Sequence, residues 1–138
     1  MVILRKYQHN DKQSLITLWQ DVFPNPAPHN KPDLVLAEKL KMDNLIFVAE
    51  KSGKIIGSCM AGYDGHRGWL YSVAISPEIR RMGIGSKLVK HTIKQLHRLG
   101  CSKINLQIVE GNEQVVEFYQ TLGFNQEARI SMGLHTNS

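Results

Sequence analysis

Apolar positions along the chain change spacing several times, and each change marks an element. Residues 2–7 read as a first strand. Asp11 then stands where a helix cap belongs, ahead of an apolar face at Leu15, Leu18, Trp19 and Val22. Pro24, Pro26, Pro28 and Pro32 make the next stretch a loop, followed by a short helix over 33–42 with Leu36, Ala37 and Leu40 inward. Leu45 to Lys51 and Lys54 to Tyr63 are strands joined by the two-residue turn Ser52-Gly53. A turn at Asp64–Gly68 leads to the strand Trp69–Ile75. Ile84, Leu88, Val89, Ile93, Leu96 and Leu99 fall at helical spacing, with Lys87, Lys90, Lys94 and Arg98 between them and Gly100 as a left-handed cap. Lys103 to Val109 alternates like a strand. Asn112 opens a last helix bearing Val115, Phe118, Tyr119 and Leu122, ended by Gly123. Two closing strands are expected, near Phe124 and over 129–134. The order is β-α-α-β-β-β-α-β-α-β-β, an α+β fold whose mixed, mostly antiparallel sheet carries helices on both faces.

At 138 residues the chain is expected to form one domain, 1–138, large enough for a core without staples. Hydrophobic content of 42% and charged content of 21% fit a globular protein. No apolar run approaches a membrane span, and the N-terminus lacks the apolar core and cleavage site of a signal peptide, so a cytoplasmic location and no membrane partner are expected. Cys59 and Cys101 match no metal-ligand spacing and read as buried thiols. His91 and His97 cannot share a helix face, so no metal is expected. The net charge of +5 admits nucleic acid, a polyanionic cofactor or a mildly basic surface. Basic residues are spread out without aromatic interleaving, which argues against nucleic acid.

Candidate chemistry concentrates between the Trp69 strand and the long helix, where Arg80-Arg81-Met82-Gly83-Ile84-Gly85-Ser86 follows Ser76-Pro77. A glycine turn at a helix start aims unpaired backbone N–H groups and the positive end of the helix dipole at one point. Gly83 and Gly85 carry no Cβ, so a diphosphate can reach the backbone. The triphosphate loop is excluded because no Gly-Lys-Ser/Thr occurs, and the dinucleotide fingerprint because position 88 is Leu.

Arg80-x-x-Gly83-x-Gly85 after a strand resembles the acetyl-coenzyme A loop of the GCN5-related N-acetyltransferases (GNAT). Asn112 and the block Val116-Glu117-Phe118-Tyr119-Gln120-Thr121-Leu122-Gly123-Phe124 resemble the family's second signature. Tyr63-Asp64-Gly65-His66-Arg67-Gly68 is further similar to the small bacterial YpeA-like acetyltransferases. The resemblance spans essentially the whole chain. It implies acetyl-coenzyme A as co-substrate and direct attack by a primary amine, on a small molecule or a protein N-terminus, through a tetrahedral intermediate. It implies that the Trp69 strand and the strand after the long helix splay at a bulge. Backbone groups of Val73, Ala74 and Ile75 then pair with the pantetheine arm, and an N–H near Ala74 or Ile75 polarises the thioester. A homodimer is compatible with the resemblance, since the family often pairs through C-terminal strands.

Roles follow residue by residue. Tyr119 stands at the family's tyrosine and is expected to protonate the departing thiolate; on spacing alone it reads equally as a core aromatic. Asn112 is a helix cap or a pantetheine contact. Arg80 and Arg81, beside Met82 and the glycines, are expected phosphate contacts. Ribosomal-protein acetyltransferases of the family carry a Glu where this chain has Gln107, which leaves the base open. Glu110 acting through water, or Asp64 and His66 at the acceptor, are the candidates, and turn formation is the alternative for that pair. A catalytically weak acetyl-coenzyme A sensor is the competing function.

Overall fold

The computed structural model describes residues 1–80 and 82–137. They contain five strands and four α-helices: β1 Val2–Lys6, α1 Lys12–Val22, α2 Pro32–Met42, β2 Ile46–Lys51, β3 Lys54–Tyr63, β4 Gly68–Ile75, α3 Ile84–Arg98, β5 Ile104–Leu106 and α4 Glu113–Thr121. The strands form one sheet in chain order, antiparallel from β1 to β4 and parallel between β4 and β5. The chain divides into two compact units, Met1–Gln107 and Ile108–Ser138. No helix among the described residues is long and apolar enough to cross a membrane.

In the first unit the period-two alternation of the strands feeds two cores. Leu15, Leu18 and Trp19 of α1 and Leu36 of α2 pack with Ile46, Val48, Ile55 and Ala74 on one face. On the other face Ile84 at the start of α3 packs with Ala49 and Ile56. Trp19 Nε1 donates to Ser58 Oγ at 2.8 Å inside the first core, so neither polar atom is buried without a partner. Ser52 and Gly53 have φ of 52° and 79°, the double positive-φ geometry of a two-residue hairpin turn between Lys51 and Lys54.

Several local expectations change. Asp11 does not cap α1; its carboxylate receives two bonds from the Arg5 guanidinium, at 2.7 and 2.8 Å, and one from the Gln8 N–H at 2.8 Å. Its oxygens are taken by Arg5 and Gln8 and make no cap bond to α1. Pro32 belongs to α2 at its first position, where a missing N–H costs nothing, and Pro28–Asn30 form a 3₁₀ turn within the proline loop. Ala37 and Leu40 of α2 are exposed; the inward stripe is Val35, Leu36 and Lys39. The last parallel strand is shorter than its alternation suggested.

The second unit holds α4, capped by the Asn112 side chain, which accepts from the Val115 N–H at 3.4 Å. Gly123 closes it at φ 98°. The two closing strands do not form in the described residues: 124–137 carry no strand, and Ile130, Met132 and Leu134 are 90, 90 and 87% exposed. Alternation alone does not make a strand, because the ladder bonds require a partner edge.

Candidate active site

The glycine turn is open where a ligand would need it to be. A 3₁₀ turn at Pro77–Ile79 redirects the chain after β4, and Gly83 takes φ 75°, a left-handed conformation that costs glycine nothing. The first intrahelical bond of α3 runs from the Lys87 N–H to the Gly83 carbonyl at 3.2 Å. Helix geometry therefore leaves the N–H groups of Ile84, Gly85 and Ser86 without intrahelical acceptors, and glycine at the cap supplies no side-chain one. A Cβ built on Gly83 meets nothing within 4 Å. Ile84 is buried and anchors the turn, while Met82 is 59% exposed. Arg80 is exposed and donates Nε to the Ile75 carbonyl at 3.3 Å, tying the turn to the end of β4. Arg81 lies outside the described residues.

Beside this turn the sheet parts. Parallel pairing of β4 with β5 covers only Gly68–Leu70 against Ile104–Leu106. Beyond Leu70, β4 continues to Ile75 with β3 as its only strand neighbour among the described residues. The Ser76 N–H donates to the Ile56 carbonyl at 2.8 Å, which makes that pair the hydrogen-bonded kind. Alternation then turns the Ala74 backbone toward Ser58 of β3, and the backbone groups of Val73 and Ile75 toward the side that β5 has left. Of the three residues expected to face the gap, two do.

The parting coincides with a bulge. Met60 pairs with Ser72 but Ala61 with Leu70, so Tyr71 is an extra residue in β4. It shares the α2 face of the sheet with Ser72 and Trp69, and there a cleft of about 560 Å³ opens. Leu34, Val35 and Met42 of α2, with Met60, Trp69 and Tyr71, supply its apolar walls. The Tyr71 ring lies against Gly62, where a Cβ would come within 2.9 Å of it. Lys39 Nζ sits 5.9 Å from the ring centroid, donates to the Ala61 carbonyl and pairs with Asp43 at 2.7 Å. Burial, with help from the Asp64 and Asp43 charges, raises the Tyr71 phenol above its ordinary value.

Asp64 lines the cleft, but its Oδ1 accepts the N–H groups of His66 and Arg67, each at 2.8 Å. Those two bonds, Arg67's the larger effect, hold its carboxyl below the usual range. It forms the turn. His66 is exposed and outside the cleft lining. Gln107 and Glu110 are exposed. Cys59 and Cys101 are buried; burial pushes the Cys59 thiol up to about 12, which removes it as a nucleophile. No group of three or more metal-ligating side chains occurs among the described residues. Sequence patterns gave no sign of Tyr71, Trp69 or Lys39: the bulge that sets Tyr71 on the cleft face is a property of strand register.

In the second unit Tyr119 is buried, with its ring edge-on to Phe118 at 5.0 Å and to Phe124 at 5.5 Å between centroids. Asn112 serves as the cap of α4.

Residues 12–124 match the model of the acetyltransferase (GNAT) family. The chain is 37% identical over 130 residues to Acetyltransferase SG1711 of Sodalis glossinidius, covering 92% of this chain and 89% of that one. Its fold is similar to the ribosomal-protein-S18-alanine N-acetyltransferase of Escherichia coli, with a TM-score of 0.81 at 21% identity over 93% of this chain and 80% of that one. It is also similar to the PaiA N-acetyltransferase of Thermoplasma acidophilum solved with coenzyme A, with a TM-score of 0.80 at 18% identity over 94 and 93% of the two chains. Glycine turn, parted strands and sequence agree: the chain belongs to the GNAT acetyltransferase family.

Proposed function

We propose that residues 1–138 work as one catalytic domain that transfers the acetyl group of acetyl-coenzyme A directly to a primary amine. The observation that carries this is the open turn at Gly83, with the orphan amides of Ile84, Gly85 and Ser86 beside the stretch of β4 that β5 does not pair. The residues suit the group: bare amides at a helix start hold a diphosphate, with Arg80 and Arg81 adding charge. The Val73 and Ile75 backbone offers the pantetheine arm a strand edge, and an Ile75 N–H directed at the thioester carbonyl stabilises the oxyanion of the tetrahedral intermediate. Tyr119 protonates the leaving thiolate; its place in the second motif supports this role. The aromatic cleft against α2 receives the acceptor, and Glu110 takes its proton through water.

Purified protein given acetyl-coenzyme A and a panel of primary amines releases free thiol on this reading. Calorimetry that detects no binding of acetyl-coenzyme A overturns it. The sensor reading is favoured by one observation, the neutral Gln107 with Asp64 tied up in its own turn. Tight cofactor binding with no turnover across the panel selects it.

A further inference from the structure

We infer that the acceptor carries a single ammonium on an apolar or aromatic skeleton, an alkyl or arylalkyl monoamine, and that Tyr71 and Lys39 set this preference. The inference rests on the acetyl-transfer reading and concerns the cleft between α2 and the β4 bulge. Polyamines and aminosugars need several carboxylates with capacity to spare. Among the described residues three carboxylates line this cleft, and each already has a partner. Asp43 pairs with Lys39 at 2.7 Å, Asp64 accepts two amides of its own turn, and Glu38 pairs with Lys41 at 2.9 Å. Glu38 and Lys41 both lie at the exposed rim, with side chains 72 and 68% accessible.

Lys39 is the decisive residue. Its side chain is only 11% accessible, held by the Ala61 carbonyl, the Asp43 carboxylate and the Tyr71 ring. It thus occupies the place that the second ammonium of a diamine would take. What the cleft then offers is surface: Trp69 and Tyr71, with Leu34, Val35 and Met60. Gly62 is bare where the Tyr71 ring rests, so the ring is seated from below by backbone and braced by the Lys39 cation. A volume of about 560 Å³ fits a small molecule, within the usual range for such sites.

The test compares thiol release with phenylethylamine, hexylamine and spermidine at saturating acetyl-coenzyme A, alongside ligand-observed NMR binding of the same amines to the coenzyme A complex. The two monoamines are expected to exceed spermidine at least tenfold in kcat/KM, and to bind more tightly by NMR. Spermidine preferred in either measurement overturns the inference while leaving acetyl transfer intact. Absence of turnover with monoamine binding retained overturns acetyl transfer and leaves the cleft's preference standing. Lys39→Met releases Asp43 and is expected to lower the ratio of the spermidine KM to the phenylethylamine KM at least fivefold. A parallel rise in both assigns Lys39 a purely structural role and refutes the selectivity argument. Tyr71→Leu, at a position 57% exposed and so tolerant of change, is expected to raise the phenylethylamine KM about tenfold with the acetyl-coenzyme A KM unchanged; an unchanged phenylethylamine KM refutes the role of the ring.

Discussion

Gly83→Val separates backbone strain from ligand contact, because the protein supplies its own control. Gly83 and Gly53 have φ of 75° and 79°, and a Cβ on either meets nothing within 4 Å. A non-glycine residue in the left-handed region costs about 1–2 kcal/mol, and a β-branched one sits at the upper end. For a chain of this size each kcal/mol lowers Tm by about 3–5 °C, so both valine variants should lose about 3–10 °C in a thermal melt. Only one of them should lose coenzyme A. The valine methyls at 83 project into the space beside the orphan amides of α3. Blocking two hydrogen bonds to a charged ligand, at about 1.5–3 kcal/mol each, weakens binding by roughly two to four orders of magnitude. Calorimetric titration of coenzyme A into both variants reads this directly. Gly83→Val binding within threefold of Gly53→Val would mean that the diphosphate lies elsewhere.

Tyr119→Phe should lower kcat by about ten- to a thousandfold, the range of lost general-acid catalysis, with coenzyme A affinity kept; steady-state kinetics with unchanged kcat would assign the ring to packing alone. Asp11 carries a pH signature. The Arg5 hydrogen bonds hold its folded carboxyl below the ordinary value, so on acidification the unfolded chain takes up the proton first. Its stabilisation is complete above the ordinary carboxylate range and is lost as pH falls through that range toward the folded value. Urea melts across that window should show a flatter acid limb in Asp11→Asn than in the parent, and identical slopes would contradict the pairing. Native protein at pH 8 should leave Cys59 unmodified by iodoacetamide until denaturant is added; peptide mapping that finds rapid native labelling would show the thiol to be accessible.

Much of the first unit was legible because its signals are local. Ser52-Gly53 specified a hairpin through its own φ angles, and the Ile84–Leu96 stripe specified α3 through its own spacing. The glycine turn was equally legible, since left-handed φ and a helix start are written within a few residues. What escaped reading was non-local. Asp11 looked like a cap because its partner Arg5, across a turn, exerts no mark on helical pattern. Nothing near Lys39 in sequence announces its bond to the Ala61 carbonyl in β3. Ile130, Met132 and Leu134 alternate as a strand does, yet no strand forms there among the described residues. The cleft against α2 depends on one surplus residue in β4, and a register shift exists only between two strands.

The parted edge of β4 also carries a conflict between receptiveness and solubility. Sheets ordinarily guard their margins with prolines, lysines or tight twists, so that stray chains find no template. On the proposed reading, a margin that takes a pantetheine arm must forgo such guards, since whatever repels a foreign strand repels the arm too. Coenzyme A would then act as a chaperone for its own enzyme, sealing an adhesive seam whenever it is bound.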